Sequence, residues 1–168
     1  MPWHAPDGTV INVKWRATWS KAFWYAKGGA PVRNMLYGIH LVYARRINRI
    51  VIVESETDAM YLWSCGIPAV AVGGSTFTDA QAEMLRMSPV TALVIGTDND
   101  AAGEKLREEA AAKMRGYCEL YDVRWPDGAK DANEVGDEET VRNTVACAVR
   151  RNIFKRAQHS IDTYRQIM

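Results

Sequence analysis

Two carboxylates one residue apart, Asp98 and Asp100, close an apolar run in the stretch LVIGTDNDAAGEKLREEA, residues 93–110. Acids at that spacing can hold a divalent cation. The stretch also nearly spells a calcium loop, with Asp at position 1, Asp at 3, Gly103 at 6 and Glu109 at 12. Two ligand requirements fail. Position 5 is Ala102, which offers no side-chain oxygen, and a strand pattern rather than a helix precedes the loop. The next helix pattern begins near Ala101, so Glu109 is expected on that helix's surface, away from Asp98. An acidic turn is the plainer alternative, since helix starts favour Asp as a cap.

The plain turn leaves other acids unexplained. The run RIVIVE ends in Glu54, TALVIGT runs into Asp98, and PDGAKDANE follows a further strand pattern with Asp127 and Asp131. If these strands are parallel, Glu54, Asp98, Asp100 and Asp131 converge on one edge. Two carboxylates about 5 Å apart repel by roughly 3 kcal/mol at an effective dielectric of 20. Such a group needs a cation or shifted protonation. Oxygen ligands without His or Cys favour Mg²⁺ or Mn²⁺ over zinc.

The elements that would position these acids are legible as patterns. Apolar runs at 49–54, 68–74, 91–97 and 118–125 read as strands buried on both faces. Helical patterns lie between them at 57–66, 78–87 and 101–116, the first stopped by Gly66 and the last by Gly116. Thr78 with Gln81 three residues on forms a capping-box pattern. Gly103 marks a place where helix and strand approach closely. This order predicts an α/β fold, a mainly parallel sheet with helices on both faces, with its site beyond the carboxyl ends of the strands.

Residues 1–48 are rich in Trp, Gly and Lys/Arg and read as a small, basic, mostly β subdomain. DGTVINVKWRA predicts a turn at Asp7-Gly8 and a strand alternating Val10, Asn12, Lys14 and Arg16 with Ile11, Val13 and Trp15. KAFWYAKGGAP predicts a second strand. Trp15, Trp19, Phe23, Trp24 and Tyr25 are expected mostly in this subdomain's core, with base stacking the alternative. Residues 137–168 predict C-terminal helices, with Val141, Val145, Val149 and Ile153 as an apolar stripe.

The net charge of +1 hides three blocks: +7 over residues 1–50, −11 over 51–140 and +5 over 141–168. An acidic centre between basic ends suits a metal site flanked by polyanion-binding surfaces; uneven solvated charge is the bland reading. Cys65, Cys118 and Cys147 are far apart, without CxxC spacing, which predicts neither a disulfide framework nor a zinc ribbon. His4, His40 and His159 are scattered. No apolar run has the length of a membrane span and no leader pattern is seen, so a cytoplasmic, reducing setting without membrane contact is expected.

VIVESETDAMYL, AVAVGGSTFT, LVIGTDNDAAGEKL and WPDGAKDANEVG, in that order over residues 49–136, resemble the TOPRIM domain of primases. The chain is most similar to phage helicase-primases and the Twinkle group, and also resembles bacterial DnaG-type primases. Upstream, DGTVINVKWRATWSKAFWYAKGG and LYGIHL are similar to the basic subdomain that precedes TOPRIM in those proteins. The resemblance implies a nucleotidyltransferase that makes RNA primers on a single-stranded DNA template from ribonucleoside triphosphates, with two Mg²⁺ or Mn²⁺ ions. It implies Glu54 as metal ligand or general base and Asp98 and Asp100 as metal ligands. Asp58 and Asp131 match further acidic positions of the pocket. Arg16 and Lys21 match basic positions that hold template or nucleotide phosphates; Lys27, Arg45 and Arg46 are further candidates for that role.

Several features depart from the pattern. Ser55 stands where the family usually has Gly after the glutamate, and Asn133 where bacterial primases often have a second Asp. No cysteine pattern for a zinc module is present and no helicase motor follows. The chain is therefore expected to be a core fragment, or a component acting with a helicase and a zinc-binding module in trans. A TOPRIM nuclease and a non-catalytic nucleic-acid- or nucleotide-binding module are the alternatives. A topoisomerase would need a tyrosine domain for which there is no room. A haloacid-dehalogenase-like phosphatase carries its Asp pair after the first strand, and a glycosyltransferase would need a nucleotide-sugar domain; neither explains Glu54.

Overall fold

The computed structural model describes residues 1–20 and 22–151. A three-stranded antiparallel sheet comes first, in the order β1 (Pro2–His4), β2 (Val10–Arg16), β3 (Phe23–Tyr25). Helix α1 (Ile39–Arg45) leads into a five-stranded sheet. Its strands are β4 (Arg49–Val53), β5 (Ala69–Ala71), β6 (Ala92–Ile95), β7 (Glu119–Asp122) and β8 (Val149–Arg150), in spatial order β5-β4-β6-β7-β8. All neighbours are parallel except the antiparallel β7–β8 pair. Between them run α2 (Glu56–Ser64), α3 (Asp79–Arg86), α4 (Ala101–Met114), α5 (Ala132–Val135) and α6 (Glu138–Ala146).

The continuous apolar runs have the cause the sequence suggests. In β4, Ile50 and Ile52 pack on one face with α1, α3 and α4, while Val51 and Val53 pack on the other with α2, α5 and α6. All four are no more than 2% exposed. A strand covered on both faces has no solvent side for polar residues to occupy. Thr78 and Gln81 form both bonds of the capping box at the start of α3.

The strand order places the site. From β4 the chain steps one way to β5 and later returns on the other side to β6. The connections thus diverge between β4 and β6, and a crevice opens at their carboxyl ends. Glu54 follows β4 directly, and Asp98 comes three residues after β6 ends.

The three-stranded sheet docks on this same end. Trp3 is fully buried, meets the ring of Tyr37 edge-on at 5.5 Å, and packs so tightly on Gly73 that a Cβ there would lie 2.6 Å from the indole. Gly73 also has φ +72°, in the left-handed region that favours glycine. Tyr37 bridges to Ala71 at the free edge of β5. Lys14 donates to both carboxylate oxygens of Glu56, each at 2.9 Å, in the first turn of α2.

Four expectations change. The polar-facing alternation of β2 is inverted: Asn12 is buried and Lys14 points at the parallel sheet, while Trp15 is 52% exposed. Those polar groups find partners inward, in Ala30 and Glu56, so their burial is tolerated. Of the aromatics expected in a subdomain core, Trp15, Trp19, Phe23 and Trp24 are exposed, because that small sheet's core is Trp3 against the larger sheet. Val149 does not continue a helical stripe. Helix α6 ends at Ala146, and Val149 lies in β8, 71% exposed, its strand closing the sheet edge beside β7. Ile153 and the rest of the predicted C-terminal helix lie outside the described residues. Glu109 is not an idle surface acid: its Oε2 accepts the backbone N–H of Phe77 at 3.0 Å. Among the described residues no helix is long and apolar enough to cross a membrane.

Candidate metal centre

Asp98 and Asp100 lie on the turn joining β6 to α4. Asp100 is the N-cap of α4, its Oδ1 accepting the Gly103 N–H at 2.9 Å. Gly103 fits only because it lacks a side chain: a Cβ there would sit 2.1 Å from the carbonyl oxygen of Asp98. The expected close approach of helix and strand end is therefore present. Asn99, between the two acids, holds the loop that follows β7. Its N–H donates to the Lys130 carbonyl at 2.7 Å, and its side-chain amide donates to the carbonyls of Trp125 and Ala129. That clasp presents Lys130 and Asp131 to the strand ends.

Carboxylate oxygens of Asp58, Asp98 and Asp131 lie within 4.8 Å of one another. Asp58 comes from the first turn of α2 and Asp131 is the N-cap of α5. Asp58 is gripped on both oxygens, by Asn133 Nδ2 at 2.5 Å and the Ser55 hydroxyl at 2.5 Å. Both departures from the family pattern, Ser55 and Asn133, thus become partners of one buried acid. Glu54 borders the group, its Oε1 accepting the Asp98 N–H at 3.3 Å.

Electrostatics follow from burial and crowding. Partial burial, with Asp98 beside it, pushes Glu54 from an ordinary 4.5 up to about 7. Burial also raises Asp58 and Asp98. Asp100 is lowered, first by the Gly103 N–H and then by Lys130. Lys130 Nζ sits 3.0 Å from both Asp98 and Asp100, and its own pKa is raised by those bonds. An ammonium thus bridges two carboxylates where a cation would relieve the same repulsion. All-oxygen donors at this spacing, two of them held below 10% exposure, fit a hard divalent ion.

The basic candidates divide. Arg16 and Lys27 are exposed on the three-stranded sheet and the turn after it; Lys21 lies outside the described residues. Arg45 and Arg46 are not brought to the acids. They end α1, three residues before β4 begins, so they stand at the amino edge of the parallel strands while the acids stand at the carboxyl edge. Asp127 is exposed and outside the acidic group. Sequence reasoning missed Lys130, Asn99 and Asn133, for which only their position beside the quoted acids was a signal. It also missed Arg107, fully buried in α4, whose guanidinium donates to the carbonyls of Ile95 and Thr97 and to Asp122. A cleft of about 630 Å³ opens between the two sheets, lined by Tyr25, Arg33 and the Gly73–Thr76 loop among others.

Acids gathered at the switch point of a doubly wound sheet define a class of metal-using α/β domains. The chain belongs to the Toprim-like family, whose profile matches residues 51–136. It is 34% identical over 95 residues to the DNA primase DnaG of Methanococcus aeolicus, a match covering 55% of this chain and 19% of that relative. The fold is similar to that of the Aquifex aeolicus primase zinc-binding and RNA polymerase domains, with TM-score 0.72 and 21% identity. That likeness covers 90% of this chain and 40% of the other. It is also similar to the primase fragment of the bacteriophage T7 primase-helicase protein, with TM-score 0.67 and 25% identity over 86% of this chain and 60% of that one.

Proposed function

We propose that this chain is the catalytic core of a DNA primase, a divalent-metal-dependent nucleotidyltransferase that joins ribonucleotides on a single-stranded DNA template. The observation that carries the reading is the group of Asp58, Asp98 and Asp131 with Glu54 at its border, beside a lobe whose charge is opposite. Asp58, Asp98 and Asp131 would hold one Mg²⁺ or Mn²⁺, and Glu54 and Asp100 would add oxygens for a second; a bound cation supplies positive charge to the oxygens of the reacting phosphate. Glu54, with its pKa near 7, can hold or accept a proton at neutral pH, as a base toward a primer 3′ hydroxyl requires. Lys130 keeps Asp98 and Asp100 from repelling each other. Arg16 and Lys27 offer charge to template or nucleotide phosphates. A helicase and a zinc-binding module in trans are the partners this reading expects.

The test is synthesis of labelled RNA on single-stranded DNA with Mg²⁺ or Mn²⁺, with a helicase and a zinc-binding protein added in parallel. Wild type is expected to make product, and Asp98→Ala to lose about a hundredfold or more. No product under any of these conditions overturns the reading. Metal-dependent cleavage of structured RNA or DNA, abolished by the same substitution, would assign a nuclease instead.

A further inference from the structure

The hairpin of β2 and β3 exposes more aromatic surface than a self-sufficient sheet would. Trp15 and Trp24 are each 52% exposed, Phe23 is 56% exposed, and Trp19, in the connection between the strands, is 84% exposed. Trp15 and Trp24 are directly opposed across the strand pair, so both indoles lie on the same face. The alternate residues, Asn12 and Lys14, face the parallel sheet and bond there. The tryptophan face is therefore the hairpin's outer face, turned from the acidic group, and it continues inward along β2 into Val13. Nothing in the described chain covers it, and a contiguous apolar patch of large rings marks a contact surface.

Charge decides what kind of contact. Residues 8–53 contain eight Lys and Arg side chains and not one Asp or Glu. Arg16 stands next to Trp15 on the strand, Lys27 lies just past β3, and Arg33 follows; all three are exposed. An occupant must offer flat apolar faces to the indoles and negative charge to the cations, and must tolerate a surface without a carboxylate. Unpaired nucleotides do all three, with a π face on every base and a charge on every phosphate.

We propose that Trp15 and Trp24, with Trp19 at the hairpin tip, form a stacking platform for the bases of single-stranded DNA, separate from the acidic pocket. The inference rests on the primase-core reading for the identity of the strand as template. The same hairpin reaches the pocket on its other face, where Lys14 bonds Glu56, two residues before Asp58. A strand held outside is thereby tied by one rigid element to the helix that carries a candidate metal ligand.

The experiment uses the whole chain, without metal or nucleotide triphosphates. Two probes of equal length and charge are compared by fluorescence anisotropy: oligodeoxythymidylate, and an oligonucleotide whose sites are abasic. The platform predicts that the thymidylate strand binds about tenfold tighter than the abasic one, and that Trp15→Ala with Trp24→Ala removes this preference. The salt dependence, set by phosphate contacts, should stay unchanged. Quenching of the wild-type tryptophan fluorescence by thymidylate, and not by the abasic strand, reads the same contact without any substitution. Equal binding of the two probes by wild type overturns the proposal, as does a folded double variant that keeps the preference. Concentration-dependent self-association abolished by the double variant would assign the face to a second copy, and also overturns it. If primer synthesis fails while the base preference depends on the tryptophans, the function reading falls and the platform stands; the reverse pattern removes the platform alone.

Discussion

Gly103→Ala separates helix propensity from packing, because the two demand opposite signs. Alanine is favoured over glycine inside a helix by up to about 1 kcal/mol, so propensity alone predicts stabilisation. The geometry predicts the reverse. A Cβ at 103 would lie 2.1 Å from the carbonyl oxygen of Asp98 and 2.8 Å from its carbonyl carbon and nitrogen. An ordinary C···O contact is about 3.3 Å, so α4 and the end of β6 would have to part by about 1 Å. Overpacking costs about 1–3 kcal/mol, and with backbone as the obstacle the upper end applies. The balance is a loss of about 2 kcal/mol. In urea, with a slope of about 2 kcal/mol/M for a protein this size, the midpoint should fall by about 1 M. The displaced atoms belong to Asp98, so the midpoint gain on adding Mg²⁺ should also shrink. A Gly103→Ala midpoint equal to or above wild type would refute the reasoning, because propensity would then have won.

Further outcomes follow from the same coordinates. Lys14→Met or Glu56→Gln alone strands a charge or a carboxamide in a site whose side chains are 12% and 5% exposed; the lysine substitution should cost about 3–5 kcal/mol in urea unfolding. The double variant should recover much of that loss, a coupling that a double-mutant cycle reads directly. Arg107→Met should cost about 3 kcal/mol or more, because it leaves buried carbonyls of Ile95 and Thr97 without their donor; a thermal melt within a degree of wild type would exclude that role. The raised pKa of Glu54 makes the metal-free fold bind a proton that the unfolded chain has released. Its stabilising contribution is full below about 4.5 and is lost as pH rises through about 7. Glu54→Gln should flatten stability across that interval, and added Mg²⁺ should pull the Glu54 titration, followed by NMR, to lower pH.

Much of the fold could be read from local pattern. Each parallel strand is a short run with no polar alternation, which only burial on two faces explains, and glycines end the helices between them. Thr78 and Gln81 cap α3 through bonds that involve neighbours in sequence, so the motif carries its own geometry. Glu54 and Asp98 stand at strand ends, and parallel pairing puts strand ends on one edge. These are statements about residues a few positions apart, and they survive any arrangement of the whole.

Tertiary structure decided what depends on distant partners. The order β5-β4-β6-β7-β8 puts the chain's turning point between Glu54 and Asp98, and no pattern within a strand encodes which strand it will lie beside. Lys130 and Asn133 gain their roles only because Asn99 clasps the loop after β7 against the acidic turn. His4 and His40, which look scattered in the chain, bring their rings to 4.0 Å because β1 docks beside the start of α1. The inversion of β2 has the same origin. Alternation says that a strand has two unlike faces, but the polar one turned inward because Glu56 and Ala30 waited there with complementary groups. The sequence by itself determined which residues could do chemistry and at which edge they would meet. The packing of one sheet on another determined which acids share a pocket, which cation balances them, and which tryptophans were left facing water.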